Sequence, residues 1–120
     1  MDNCIFCKIV KGEIPTRKVY EDDNFLAIID INPRSPGHTQ VIPKKHYRWV
    51  WDVPNLGEYF EVAKKIAFAQ RKAFDTEMII GSVVGEDVPH AHIWIYPDPN
   101  IPGDKKDLDG NTEKLKSALK

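Results

Sequence analysis

The chain has 120 residues, a formal net charge of -1, 42% hydrophobic residues and 29% charged residues. Those values fit one soluble globular domain whose length supports a single core without staples. They speak against a general grip on nucleic acid, which needs a basic excess to neutralise backbone phosphates, but leave room for one nucleotide in a local pocket.

The opening residues Met1–Lys8 hold Asp2, two cysteines and no long apolar run, so they do not read as a secretory leader. No apolar stretch is long enough to span a bilayer. The expectation is a cytoplasmic protein with no membrane partner, whose two cysteines are ligands or free thiols and not a disulfide.

Residues 4–12 read as a short irregular or helical opening, ended by Gly12 and Pro15. Lys18 to Tyr20 and Phe25 to Asp30 are β-rich runs, and the polar separator Glu21-Asp22-Asp23-Asn24 reads as a hairpin turn. The loop Asn32–Gly37 is full of φ-setting residues, and Thr39 to Ile42 follows as a strand stopped by Pro43. Residues 56–74 are the strong helix. Leu56, Tyr59, Phe60, Ala63, Ile66 and Ala67 keep helical spacing, Lys64, Lys65, Arg71 and Lys72 fill the other face, and Asn55 is the candidate N-cap. Met78 to Ile80 and Ala91 to Tyr96 are the last strands, separated by the glycine-bearing run Gly81–Asp87. Beyond Pro97, residues 97–111 carry prolines, glycines and many charges and read as an extended arm. Thr112 to Lys120 reads as a short helix capped by Thr112. The division expected is a domain over 1–97 and a C-terminal extension over 98–120. Antiparallel strands interrupted by one long helix predict an α+β domain.

His90-Ala91-His92-Ile93-Trp94 is the most informative segment. In a strand, alternate side chains share a face. His90, His92 and Trp94 then point one way, and Ala91, Ile93 and Ile95 the other. Two imidazoles beside a glycine loop make a working site, because a neutral imidazole is a good nucleophile near pH 7. Two surface histidines on an edge strand would give the same pattern. Cys4-Ile5-Phe6-Cys7 brings two thiols to one side of a turn, as in half of a zinc site, with His46 and His90 as candidate further ligands. A redox pair and two inert thiols are the competing readings. Asp30 ends an apolar strand, where a carboxylate accepts bonds from ribose hydroxyls or caps the turn that follows. His38 faces the same site or serves as a structural hydrogen-bond partner. Lys44 and Lys45 read as anion binders or as a solvated turn.

The chain resembles the histidine triad (HIT) family, closest to its small nucleoside phosphoramidases and dinucleoside polyphosphate hydrolases. The likeness covers about residues 4–97. It rests on ordered blocks: Cys4–Val10 with Gly12-Glu13-Ile14-Pro15, Tyr20–Asp23, Phe25–Pro33, Gly37-His38 with Val41–His46, and His90-x-His92. The resemblance implies an antiparallel sheet of about five strands with a long helix and a short N-terminal helix, paired into a homodimer with a continuous sheet. It implies that His92 attacks the α-phosphorus of a purine nucleotide conjugate, a phosphoramidate or dinucleoside polyphosphate, through a covalent nucleotidyl-histidine. Ile9, Ile28, Asp30 and Ile31 would form the nucleoside pocket, with Asp30 on the ribose hydroxyls and His38 close to the catalytic histidine. Backbone N–H groups of the Gly85–Asp87 loop would hold phosphate oxygens. Cys4, Cys7, His46 and His90 would hold a structural zinc, with no catalytic metal.

Four positions depart from the family pattern, one of them Ile79, which stands upstream where an asparagine is common. The third histidine is Trp94, whose indole donates one N–H but relays no proton. Glu86 stands where a glutamine is usual, and Asp87 where a small hydroxyl residue is common. Two carboxylates facing a phosphate oppose binding by about 1 kcal/mol per pair at ~4 Å, even with water-like screening. Glu86 is also a candidate replacement for the missing proton donor. A catalytically impaired nucleotide-binding module is therefore the alternative to a hydrolase or transferase.

Overall fold

A computed structural model describes residues 4–83 and 85–120. Met1–Asn3 of the opening segment, and Val84 within the glycine-bearing run, lie outside them. Helix α1 spans Ile5–Val10, and strands β1 and β2 span Lys18–Glu21 and Phe25–Ile29. Strand β3 is Thr39–Pro43, a single 3-10 turn covers Val50–Asp52, and helix α2 is Leu56–Phe74. Strands β4 and β5 are Ile79–Ser82 and Ile93–Pro97, and helix α3 is Leu108–Leu119. The five strands form one sheet in the order β1-β2-β3-β5-β4, with every pair antiparallel. The expected α+β architecture is therefore present.

The sheet is covered on both faces near its centre, which explains the unbroken apolar run of β2. Phe25, Ala27 and Ile29 pack with Tyr59, Val62, Ile66 and Ala69 of α2. Leu26 and Ile28 pack on the opposite face with Phe6, Cys7 and Ile9 of α1. Two polar side chains tie α2 to the sheet. The Tyr59 hydroxyl donates to the Val41 carbonyl at 2.7 Å. Gln70 Nε2 donates to the carbonyls of Gly37 at 2.9 Å and Ile95 at 2.8 Å. Gly37 itself has φ +80°, and a Cβ there would strike the Phe74 ring, so glycine is required where the chain turns into β3.

The β1–β2 turn is closed by Asp22, whose Oδ1 accepts the N–H groups of Asn24 and Phe25, both at 2.8 Å. Two caps differ from expectation. Asn55 occupies the N-cap of α2, but its side chain makes no capping bond and donates to Glu58 instead. The last helix starts at Leu108 under an Asp107 cap that accepts from Gly110 N–H at 3.0 Å. Thr112 lies inside that helix, its hydroxyl donating back to the Leu108 carbonyl at 2.6 Å. Helix α3 packs on α2 and β1, with Leu115 0% exposed. Among the described residues no helix is long and apolar enough to cross a membrane.

Candidate active site and metal centre

The Cys4–Cys7 spacing is set by α1. Cys4 is its N-cap, and the Cys4 sulfur accepts the Cys7 N–H at 3.2 Å, which brings both thiols to one end of the helix. That end faces the segments following β3 and preceding β5. Cys4 Sγ lies 3.2 Å from His90 Nδ1, and Cys7 Sγ lies 3.2 Å from His46 Nδ1 and 3.4 Å from His90 Nδ1. All four donor atoms fall within 4.8 Å of one another.

This donor set fits a tetrahedral metal such as zinc, which takes two thiolates and two imidazoles in structural sites. His90 Nε2 donates to the Pro43 carbonyl at 2.8 Å, which turns the Nδ1 lone pair toward the thiols. Burial lowers the His90 pKa to about 4, keeping the ring in its neutral, ligating form. Burial and the neighbouring Cys4 push the Cys7 thiol up to about 11, so the thiolate form needs a cation beside it.

His92 stands two residues beyond His90. Alternation puts Ala91, Ile93 and Ile95 into the core against α2 and turns His90, His92 and Trp94 to the opposite face. Both histidines precede the hydrogen-bonded part of the strand, which begins at Ile93. They are not surface residues on an edge: β5 lies between β3 and β4, and His90 and His92 are 0% and 2% exposed. The His92 Nδ1 N–H donates to the His90 carbonyl at 2.8 Å, which directs Nε2 outward. Nε2 meets Asp87 Oδ1 at 2.9 Å. A ring nitrogen and a carboxylate oxygen at that distance hold a proton between them. The Nε2 lone pair is free only once that proton has passed to the carboxylate and the carboxylate no longer covers it.

Two cavities meet here. One, of about 400 Å³, is lined by Phe6, Ile9, Ile28, Asp30, Ile31 and Trp94, among others. It is an apolar slot with one buried carboxylate in its wall. Asp30 serves the fold as well: Oδ1 accepts Asn32 N–H at 2.8 Å and Oδ2 accepts from Gln40 Nε2 at 3.2 Å. The second cavity, of about 330 Å³, is lined by Arg34, Ser82, Gly85, Glu86, Asp87, His92 and Trp94. Asp87 and Trp94 belong to both walls. The sheet register explains the layout, since Trp94 pairs with Gln40 on one side and Ser82 on the other.

A HIT domain model matches residues 11–100. The chain belongs to the HIT family. It is 46% identical over 100 residues to an uncharacterized HIT-like protein of Methanocaldococcus jannaschii, covering 78% of each chain. It is 36% identical over 99 residues to an adenosine 5'-monophosphoramidase of Saccharomyces cerevisiae, covering 78% of this chain and 61% of that protein. The crystal structure of a zinc-bound histidine triad protein from Mycobacterium smegmatis superposes with a TM-score of 0.81 at 32% identity, covering 98% of this chain and 94% of that one. That neighbour and the Cys4, Cys7, His46, His90 cluster agree on a structural zinc. The matched HIT segment begins after both cysteines, so the thiol half of the centre comes from outside it.

The residues expected from sequence fall into three groups. Ile9, Ile28, Asp30 and Ile31 line the apolar cavity, and Gly85, Glu86, Asp87, His92 and Trp94 line its neighbour. His38 lies one layer behind, 1% exposed, with its ring 5.4 Å from that of Trp94. Its Nδ1 accepts the Arg34 N–H at 3.1 Å, and its Nε2 is 3.5 Å from Asp30 Oδ2. Lys44 pairs with Glu21 at 2.8 Å and faces away from both cavities. Lining residues that escaped the sequence reading include Phe6, which meets the His92 ring edge-on at 5.3 Å, Ser82 and Arg34. Ser82 could have been found from strand register; Arg34 carried no local signal.

Proposed function

We propose that this HIT protein binds a purine nucleotide conjugate and attacks its α-phosphorus with His92 Nε2. The observation that carries the reading is the fixed imidazole: Nδ1 is committed to the His90 carbonyl, and the ring lines the second cavity against Asp87, a residue both cavities share. The nucleoside occupies the apolar cavity, with Asp30 accepting from the ribose hydroxyls. In the first step the proton shared with Asp87 passes to that carboxylate, the Nε2 lone pair forms the N–P bond, and the bond to the leaving group breaks, its electron pair departing with that group. Water then cleaves the N–P bond, giving the nucleoside monophosphate and free His92. Backbone N–H groups of Gly85–Asp87 hold the phosphoryl oxygens. A proton needed by an amine leaving group has two candidate carriers, Asp87, which touches His92, and Glu86 on the same cavity wall. The monophosphoramidase activity named for the yeast relative supports this substrate class.

A binding module without turnover is the second reading, favoured by the Asp87–His92 contact and by an indole in place of the third histidine. Monophosphate release from an adenosine phosphoramidate, a diadenosine polyphosphate and a nucleotide sugar separates the two. Release by the wild type and none by His92→Asn is the expected result. Silence from both, with monophosphate still bound, establishes the second reading. Glu86→Gln with an unchanged rate and pH profile removes Glu86 as the proton carrier.

The active form proposed is a homodimer joined through α2 and β4. Strand β4 is a sheet edge, and Phe60, Phe68 and Met78 stand exposed beside it, Phe68 at 53%. Light scattering on the wild type and on Phe68→Glu tests this: a dimer that the variant splits is expected, and a monomeric wild type refutes it.

A further inference from the structure

Arg34 has no part in the chemistry above, yet it is a cation on the wall of the second cavity. Its guanidinium carbon sits 4.7 Å from the Trp94 ring centroid and 5.8 Å from that of Tyr96. Glu86 and Asp87 line the same cavity, but among the described residues no carboxylate pairs with Arg34 and no side-chain hydrogen bond engages its guanidinium. Stacking uses the flat faces of a guanidinium and leaves the N–H donors on its rim for an oxyanion. The loop is held in place as well, because the Arg34 backbone N–H donates to buried His38 at 3.1 Å.

Position decides which oxyanion. A nucleoside in the apolar cavity sets its α-phosphate at the junction by Asp87 and His92. The remainder of the conjugate extends into the cavity that Arg34 lines and the nucleoside pocket does not reach. Trp94 cannot relay a proton, but a departing phosphate needs its negative charge met more than it needs protonation.

We propose that Arg34, held on the Trp94 ring, binds the charged oxygens of the leaving group and selects conjugates whose leaving group is a phosphate or polyphosphate. The assignment rests on the nucleotide reading above. It makes Trp94 the platform for a fixed cation at the position where the family resemblance leads one to expect the third histidine.

Calorimetric titration with AMP and with α,β-methylene-ADP tests it on the full-length protein. The wild type is expected to bind the diphosphate analogue more tightly than AMP. Arg34→Gln should lose roughly tenfold or more on the analogue, the scale of one charge-assisted contact, and stay within about twofold on AMP. Arg34→Lys, which keeps the charge, should recover part of the loss. In turnover assays Arg34→Gln should slow a diadenosine polyphosphate and spare an adenosine phosphoramidate. The side chain is exposed, so the melting temperature of each variant should match the wild type. AMP binding with no preference for the analogue, or an equal loss on both ligands, overturns the role of Arg34 alone. Failure of the wild type to bind either ligand removes the nucleotide reading, and the Arg34 proposal falls with it.

Discussion

Asp87 Oδ1 lies 2.9 Å from Nε2 of His92, so a single carboxylate sits between that nitrogen and whatever enters the cavity. The Asp87 side chain is 56% exposed, on the solvent side of the buried His92 ring. A phosphate arriving at His92 meets that charge directly. Asp87→Asn should therefore bind AMP several-fold more tightly, in line with about 1 kcal/mol for a pair of charges at ~4 Å in water-like screening. The same variant should slow phosphoramidate turnover if Asp87 supplies the leaving-group proton. Calorimetry and steady-state kinetics on one preparation read both effects. Unchanged affinity would mean that the carboxylate leaves the site when nucleotide enters.

Metal analysis of the purified protein should find one zinc per chain. Chelation, or Cys7→Ser, should lower the melting temperature by roughly several degrees or more, since a domain of this size shifts about 4 °C for each kcal/mol. The Cys7 thiol, raised to about 11, must lose its proton to ligate. Zinc affinity should therefore fall as pH falls, and binding at pH 7 should release protons into an unbuffered solution. A melting temperature indifferent to chelator refutes the structural role.

His38 supplies a pH dependence of its own. Burial is the main cause lowering its pKa to about 4; nearby Asp30 opposes the shift and Arg34 adds to it. The unfolded chain takes up this proton near pH 6.5, and the folded chain not until about pH 4. Between those values the unfolded state binds more protons, so stability falls as pH falls through that window. Urea unfolding at pH 7 and pH 5 should show a larger loss for the wild type than for His38→Gln. Equal losses would assign the acid sensitivity to other groups.

Leu115 tests whether the C-terminal helix belongs to the core. It is fully buried between α3 and the rest of the fold. Leu115→Ala should cost ~2–5 kcal/mol in denaturant unfolding, the usual range for a buried leucine. A cost near zero would return residues 98–120 to the status of an appended arm.

Local periodicity made much of the fold legible. The helix expected over 56–74 is the helix observed, because its apolar spacing and basic face both point to it. Strand alternation correctly separated His92 and Trp94 from Ile93 and Ile95. Signals that arise only in three dimensions stayed hidden. Cys4 and His90 are 86 positions apart, and CxxC spacing alone left zinc, redox and inert thiols open. The zinc set came from the family resemblance. Arg34 looked like a loop residue until β3 and β5 paired and set Trp94 beneath it. Helix α3 begins earlier than expected, because Gly110 within its first turn and the prolines and charges ahead of it read as arm, and Asp107 caps where Thr112 was expected.

His90 divides its work between two kinds of atom. Its ring faces the thiols, while its main-chain oxygen anchors Nδ1 of His92. Side-chain replacement reaches only the first of these. A variant at this position keeps the peptide carbonyl, so any activity it loses reports displacement of that carbonyl when the metal cage loosens. The metal cluster and His92 are thus joined by one stretch of backbone, so on the proposed reading zinc occupancy bears on the aim of the nucleophile.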